Sequence, residues 1–589
     1  MPSAPAGEHR AGSAGEPAQA DDEVWDVIIV GAGAGGLTAA CVAALGGCSV
    51  LLLEQAPVVG GTTAISGGMV WIAANHKAGA AGRPDSVEAA RNYLAHTVAA
   101  SDRSKLETFL AHGDEAIRHL ESHTSLRLQP VATYPDYYPD LPGATLGGRV
   151  LEPVPYDASG LGPAFKLLRA PLPEFMLFGG MMISRQDIPH LRRAARSWRS
   201  ALHVSHLLLR YAVQRLRAPR GTTLYLGNAL VARLLRSALD LGVQIRTSTA
   251  AQRLLVDAGG RVCGVETMQP AQGCGQLHAR RGVILATGGL SHGGALRTCY
   301  VPAAAGALTA AVDPGTAVRG ACMAQAVGAR LSAPTQQGAF WVPASTFTRG
   351  DGSRGVYPHT VSDRGKPGLI AVGADGRRFV NEAVSYHRFV QAQLAAGDAV
   401  PAFLLCDRRF LWKYGLGRIK PFTVSVSGAV ASGYLKRADT IDGLAAAIGV
   451  PAAALVDTVD VYNQHARNGE DPLFGRGGDA YQRHLGDADH QPNPCVAPLQ
   501  QPPFYAIAVY PADLGMSAGI VTDDRARVLA HDGRPIPGLF ACGNDMQSIM
   551  EGAYPGPGIT LGPAITFGWL AAREAASAPL VPGTVELPG

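Results

Sequence analysis

One stretch near the start restricts the fold more than anything else in this chain of 589 residues: WDVIIVGAGAGGLTAACVAALGGCSVLLLEQ, from Trp25. Val27 to Val30 is an apolar run the length of a short buried strand. Gly31, Gly33 and Gly36 come next as G-x-G-x-x-G, with Gly35 among them. A helical pattern then runs from Leu37 to about Leu45, and a second apolar run, Val50 to Leu53, ends on Glu54. Strand, glycines, helix, strand and terminal acid, in that order, make a dinucleotide-binding βαβ unit. The glycines let the backbone turn sharply and approach a pyrophosphate at the positive end of the helix. Glu54 is placed to accept hydrogen bonds from an adenosine ribose.

The loop after Glu54 selects FAD over a nicotinamide cofactor. VVGGTTAISGGMVWIAAN supplies Gly60, Gly61, Thr62, Thr63, Ser66, Gly67 and Gly68, a run of small residues past which a long cofactor can lie. Val283 to Ala286 reads as another strand, closing in Ala286, Thr287, Gly288 and Gly289. The hairpin before it turns at Gly259–Gly260. Near the C-terminus GLFACGND reads as a strand into a turn at Gly543–Asn544. The stretch EGAYPGPGITLGPAITFG, from Glu551, then places Tyr554 and several glycines at the mouth of a last helix starting at Thr560 or Leu561. Free amides there can hold the anionic edge of a flavin, and the glycines permit its close approach. The expected fold is α/β: a discontinuous Rossmann-type domain binding FAD non-covalently, with an inserted α+β substrate domain. The boundaries read as a tail at 1–20, FAD-binding segments at 21–333 and 503–580, the substrate domain at 334–502 and a C-terminal tail at 581–589.

Composition narrows the partners. Lys and Arg number 51 against 47 Asp and Glu, a net charge of +4, and no dense basic run with interleaved aromatics speaks for nucleic acid. The nine cysteines form no CxxC pair, so no metal site, disulfide framework, haem attachment or iron–sulfur cluster is indicated. Electrons taken up by a flavin must therefore leave to an external acceptor, quinone-like, dye-like or oxygen. No apolar run reaches the ~20 residues that span a bilayer, and the Ala/Gly/Pro-rich start lacks the apolar segment of a secretory signal. A cytoplasmic protein is expected. The basic, apolar segment LRRAARSWRSALHVSHLLLRYAVQRLR, from Leu191, reads as a core-facing helix with a solvated arginine face. Peripheral attachment to the inner face of the membrane is the lesser alternative.

Six stretches together, VGAGAGGLTAA, GGTTAISGGMVWIAAN, YPDYYPDLPG, GRRFVNEAVSY, DLGMSAGIVTDDRARVL and YPGPGITLGPAITFG, resemble the 3-ketosteroid Δ1-dehydrogenases, within the flavoproteins related to fumarate reductase and succinate dehydrogenase. The resemblance covers most of the chain after the tail. It implies desaturation of a steroid A ring between C1 and C2, with a proton taken from C2 and a hydride passed from C1 to flavin N5. By the same resemblance Tyr386 is the base and Tyr137 the phenol that hydrogen-bonds it and relays its proton. Tyr554 and the amide of Gly558 grip the C3 carbonyl. The chemistry suits these groups: an enolate oxygen needs two donors, and a phenol and an amide supply them without carrying net charge into an apolar pocket. A phenol, with a reference pKa of about 10, becomes a usable base only if a second phenol or the flavin steadies the phenolate. Phe340 and Trp341, in QQGAFWVPASTF, and Pro557 are candidate pocket walls.

Three places depart from that family pattern: Ile65 where arginine is usual, Met516-Ser517-Ala518 within DLGMSAGI, and Glu551-Gly552 before Tyr554. None removes a proposed catalytic group, but all leave the substrate open between a 3-ketosteroid and another cyclic ketone. Oxidation or reduction at C4–C5 is the alternative reaction. A dicarboxylate reductase is poorly motivated, because the cations that would hold two carboxylates are missing from these motifs. A non-enzymatic flavoprotein would leave the tyrosines without a task.

Overall fold

The computed structural model describes residues 23–579, apart from 101, 185–186, 195, 270–272, 313–318 and 361–362. Both expected tails lie outside the described residues. The first strand, Glu23–Val30, sits at the centre of an eight-stranded sheet and pairs in parallel with Val50–Leu53 on one side and Gly273–Leu285 on the other. Sheet order runs from Arg527–Leu529 through Pro535–Ala541, Gly273–Leu285, Glu23–Val30 and Val50–Leu53 to Gln244–Arg246. Residues Val27, Ile28, Ile29, Leu51, Leu52 and Leu53 are fully buried, because a strand covered on both faces has no polar side to show. Each such side chain contributes about 1.5–3 kcal/mol through burial.

The helix after the glycines is Ala34–Leu45, three residues longer at its start than its apolar pattern suggests, with Gly33 as its N-cap. It crosses the last helix, Leu561–Ser577, at close range: a Cβ on Gly568 would lie 2.6 Å from the Gly35 carbonyl oxygen. The hairpin is present as Ala250–Val256 and Val262–Gln269, paired antiparallel.

A second sheet of six strands holds Arg354–Pro358, Ala339–Thr348, Phe504–Met516, Ala402–Asp407 and Leu369–Val372 in that order, with Lys436–Ala438 beside Phe504–Met516. The sequence reads as returning to the FAD-binding domain from about Pro503 onward. Instead Phe504–Met516 lies between two strands of the second sheet, and the first sheet resumes only at Arg527. One 13-residue strand reads the same in sequence whichever sheet accepts it; its partners, far away in the chain, decide.

The segment from Leu191 also differs from expectation. It forms the helices Asp187–Arg193 and Trp198–Arg215, and the second buries only Ser200 and Leu207. Its apolar side faces outward rather than into the core.

Candidate active site

Tyr386, Tyr137 and Tyr554 arrive from three places. Tyr386 opens the helix Tyr386–Ala395, whose N-cap Ser385 accepts from the Arg388 amide. The chain before it is pinned by buried charge. Arg378 donates to both carboxylate oxygens of Glu382 at 2.8 Å and also to Asp471, while Arg476 meets Glu382 from another side at 3.0 Å. Asn381 reaches Gln482 and the Phe474 carbonyl. The polar residues of GRRFVNEAVSY thus aim the tyrosine at the end of the motif.

Tyr137 is held by its neighbour Asp136, fully buried, which accepts from the Trp71 indole at 2.9 Å and from Arg149 at 2.8 Å. Its own amide donates to the Pro555 carbonyl at 2.9 Å, and the Tyr93 hydroxyl donates to the same oxygen. These bonds dock the loop bearing Tyr137 onto the loop bearing Tyr554.

The three phenols meet. Tyr386 donates to the Tyr554 hydroxyl at 2.8 Å, and their rings stand edge to face with centroids 5.2 Å apart. Tyr137 stacks on Tyr554 and meets Tyr386 edge-on, both at 5.6 Å. Tyr386 thus bonds Tyr554 directly, and the Tyr137 hydroxyl faces Tyr386 as well. The Tyr137 hydroxyl is buried without a hydrogen bond of full geometry, yet it lies close enough to favour the Tyr386 phenolate. Burial dominates the electrostatics. It pushes Tyr386 and Tyr137 well above the usual phenol range and Tyr554 to about 12. The Tyr554 ring raises Tyr386 further, whereas Tyr137 pulls it down.

Gly558, four residues beyond Tyr554, has φ +96, and a Cβ there would lie 2.6 Å from the Met69 carbonyl oxygen. Only glycine fits that place in the loop. Pro557 is buried beside it. Phe340 meets Tyr554 edge-on at 5.4 Å. Trp341, the next residue on the strand, points to the opposite face and packs in the core of the second sheet, so it is not a wall of this site.

Residues missed in the sequence complete the cluster. Tyr481, fully buried, lies 4.7 Å from the Tyr137 ring, and its hydroxyl has no hydrogen-bond partner. His387 lies 5.7 Å from Tyr554, accepts from the Trp341 amide, and is pushed down to about 4 by burial, so it is neutral. Tyr481 sits in a short helix with no motif around it. His387 comes directly after the proposed base, and that adjacency was its available signal.

The proposed cofactor residues sort by what a side chain would meet. At Gly31 a Cβ would lie 2.2 Å from the Ala286 carbonyl oxygen, at Gly36 1.9 Å from that of Gly31, and at Gly68 2.4 Å from the Gly227 amide. These glycines, with Gly35 against Cys542, serve packing. At Gly67, Gly288 and Gly543 a Cβ would meet nothing within 4 Å, and at Gly33 and Gly61 nothing nearer than 3.9 Å. Gly33, Gly288 and Gly543 follow strands of one sheet, Gly61 and Gly67 flank the short helix Gly61–Ile65, and open space beside all five leaves a cradle with room for a ligand lying along them. Glu54 is buried just past its strand and accepts from the Ala32 and Ala56 amides, which fixes the carboxylate beside the glycine turn. Burial raises its pKa.

Around the cradle, Thr63 accepts from the Ala34 amide and Thr62 from that of Val312, while Ser66 bonds the Thr63 carbonyl and the Gly68 amide. Ala286 continues the sheet through Val30. Asp545, one residue past the expected turn at Gly543–Asn544, binds the Thr287 amide, the Thr287 hydroxyl at 2.8 Å and the Gly289 amide at 3.0 Å. It ties together the two turns that flank the cradle. The Asn544 side chain lies against Gly515. Leu561 starts the last helix after Thr560, and the Gly562 amide donates to the Gly558 carbonyl. The residues present fit FAD. Among the described residues no cluster suited to a metal ion occurs, and no helix is long and apolar enough to cross a membrane.

Known proteins are similar to this chain over nearly their whole length. The family model described as FAD binding domain matches residues 26–561. A 4-oxocyclohex-2-ene-1-carboxylate 5-dehydrogenase of Sinomonas cyclohexanicum is 38% identical over 558 residues, 94% of this chain and 93% of that protein. A 3-oxosteroid 1-dehydrogenase of Mycolicibacterium smegmatis is 35% identical over 574 residues, 94% of this chain and 97% of that protein. The crystal structure of 3-ketosteroid delta1-dehydrogenase from Sterolibacterium denitrificans, in complex with 1,4-androstadiene-3,17-dione, matches with TM-score 0.86 at 36% identity, covering 94% of this chain and 100% of that one.

Proposed function

The chain belongs to the FAD binding domain family, in the group that holds the 3-oxosteroid 1-dehydrogenases, and is an FAD-dependent oxidoreductase; from that premise we propose that it introduces a double bond between C1 and C2 of a 3-ketosteroid. The observation that carries this reading is the Tyr386–Tyr554 contact of 2.8 Å at the loop that ends on Gly558. Tyr554 and the Gly558 amide hold the ketone oxygen. Their two hydrogen bonds strengthen as charge develops on it, which makes the adjacent C–H acidic. Tyr386 takes that proton, and Tyr137, the neighbour that favours its phenolate, accepts part of the charge and passes the proton on. Bound FAD supplies the two-electron acceptor for the hydride that leaves the next carbon. The ring loses one proton and one hydride, and the electrons leave to an external, quinone-like acceptor.

Apolar and neutral groups suit this task. Phe340, Tyr481 and neutral His387 surround the phenols, so no charge is carried into the space where a hydrocarbon ring must sit. A second reading has its own support: the 38% identity to a dehydrogenase named for a small cyclohexene carboxylate favours a single-ring ketone. Incubation of the enzyme with 4-androstene-3,17-dione and, separately, 4-oxocyclohexanecarboxylate, with a dye acceptor, separates the two. A 1,4-diene-3-one product supports the steroid reading, and turnover of the carboxylate alone replaces it. A new double bond elsewhere in the ring overturns the assignment of C1–C2.

A further inference from the structure

Glu54 has a charged neighbour outside the nucleotide signature. Burial raises the Glu54 carboxyl, and the guanidinium of Arg169 draws it part of the way back; burial likewise lowers Arg169, and Glu54 opposes that shift. The two nevertheless form no ion pair. The carboxylate uses one oxygen on the Ala32 amide at 3.0 Å and the other on the Ala56 amide at 2.9 Å. Among the described residues no carboxylate pairs with Arg169, and its Nε is buried without a hydrogen-bond partner. A buried donor in that state is unfavourable until an acceptor meets it.

The backbone fixes Arg169 in this place. Its amide donates to the Val59 carbonyl at 3.0 Å, one residue before Gly60, and the Val59 amide donates to the Leu167 carbonyl at 2.7 Å. Its own carbonyl accepts from the Asn228 side chain at 2.7 Å, and the same Asn228 nitrogen reaches the Ala64 carbonyl at 3.3 Å. Asn228 is fully buried in the helix Leu226–Asp240, and its Oδ1 has no partner either. Arg169 is thereby tied to both ends of the loop that carries Thr62 and Thr63. A group that both donates and accepts satisfies Glu54 and Arg169 at once: a sugar hydroxyl gives its hydrogen to the carboxylate and takes one from Nε.

We propose that Arg169 is a second residue, beside Glu54, that holds the adenosine half of FAD, its guanidinium and the carboxylate sharing a ribose hydroxyl. The proposal rests on Glu54 as the ribose acceptor. Charge favours the sugar over the pyrophosphate here. An arginine alone would suit a phosphate, but a phosphate at this place would also face the Glu54 carboxylate, a like charge in a buried setting. One cation and one anion together suit a neutral polyol. The stretch that follows the short irregular helix Ala158–Leu167 thereby takes part in retaining the cofactor, although it lies far from the glycine motif in the chain.

The test is calorimetric titration of the full chain, freed of flavin, with three probes: FAD, ADP for the adenosine half and FMN for the flavin half. We expect Arg169→Met to weaken FAD and ADP by about tenfold or more and to leave FMN within about twofold of wild type. Arg169→Lys, which keeps the charge but not Nε, should fall between. Because one hydroxyl is shared, the losses of Glu54→Gln and Arg169→Met are coupled, and the double variant loses less than the two singles combined. Melting temperatures of the flavin-free proteins should agree, since the Arg169 Nε has no partner within the fold. Unchanged FAD and ADP affinity in both Arg169 variants overturns the proposal. So does an FMN loss equal to the ADP loss, or strictly additive losses in the double variant. A Glu54→Gln protein that binds ADP as wild type does removes the ribose reading of Glu54, and the proposal with it.

Discussion

The hydroxyls of Tyr386 and Tyr554 lie 2.8 Å apart, although one residue opens a helix against the second sheet and the other sits in the loop before the last helix of the protein. The proposed proton acceptor and carbonyl donor are therefore within reach of one small ring before any substrate arrives. Such preorganisation is what makes a donor effective, since no reorganisation is needed as charge develops.

Removing the donor alone isolates that effect. Tyr554→Phe is expected to slow flavin reduction by a ring ketone about 10²–10³-fold while FAD content stays unchanged. Rapid mixing under anaerobic conditions, with the flavin spectrum as readout, measures both. A rate within a factor of two or so of wild type removes Tyr554 from the oxyanion role.

The pH profile is set by the raised phenols. Burial holds Tyr386 well above the usual range of about 10, so its ionised fraction grows throughout the accessible pH range. We expect kcat/KM to rise with pH across the neutral and alkaline range. Because Tyr137 pulls Tyr386 down, Tyr137→Phe should displace the rising limb to higher pH and lower the rate at any fixed pH. The same shift acts on stability. Phenols that keep their protons longer in the fold than in the unfolded chain stabilise it fully below about pH 10, and that contribution is lost as pH climbs toward their folded values. Melting temperatures above and below pH 10 check the sign.

Much of this was legible in the sequence, and the exceptions have physical causes. Gly31, Gly33, Gly36 and Glu54 announce their unit because local backbone geometry demands them in a fixed order. The strand Phe504–Met516 carries no such mark, and its place in the second sheet depends on partners such as Ala344 and Leu404, remote in the chain. Phe340 and Trp341 were indistinguishable as an aromatic pair until the strand's alternation sent one to each face. Tyr481 joined the phenol cluster from a segment without pattern, and Asp545 lay one residue beyond a turn read only as glycine and asparagine.

The glycines give a contrast within one motif. Gly33→Ala has φ −80 at its site and open space for a Cβ, so the variant should fold and bind FAD more weakly, by ~1.4 kcal/mol or tenfold and more. Gly36→Ala drives a Cβ to 1.9 Å from the Gly31 carbonyl oxygen and should cost the fold itself. Circular dichroism with FAD titration separates the outcomes. Equal FAD affinity in wild type and Gly33→Ala contradicts the cradle.

Glu382 is expected to matter for the position of Tyr386 rather than for proton transfer. Glu382→Gln leaves buried Arg476 with a neutral partner, while Arg378 keeps Asp471, which should destabilise by about 3–5 kcal/mol. Activity should fall with the pH profile unchanged in position. A shifted profile would mean that Glu382 acts on the proton directly.

Tyr386 is the proposed acceptor of the ring proton, and the sharpest test of that role is anaerobic flavin reduction by 4-androstene-3,17-dione and by simpler cyclic ketones, in wild type and in Tyr386→Phe. With FAD bound to the same extent in both proteins, we expect rapid bleaching by at least one ring ketone in the wild type and a rate lower by about 10²–10⁴-fold in the variant. Bleaching of Tyr386→Phe at the wild-type rate would contradict that role.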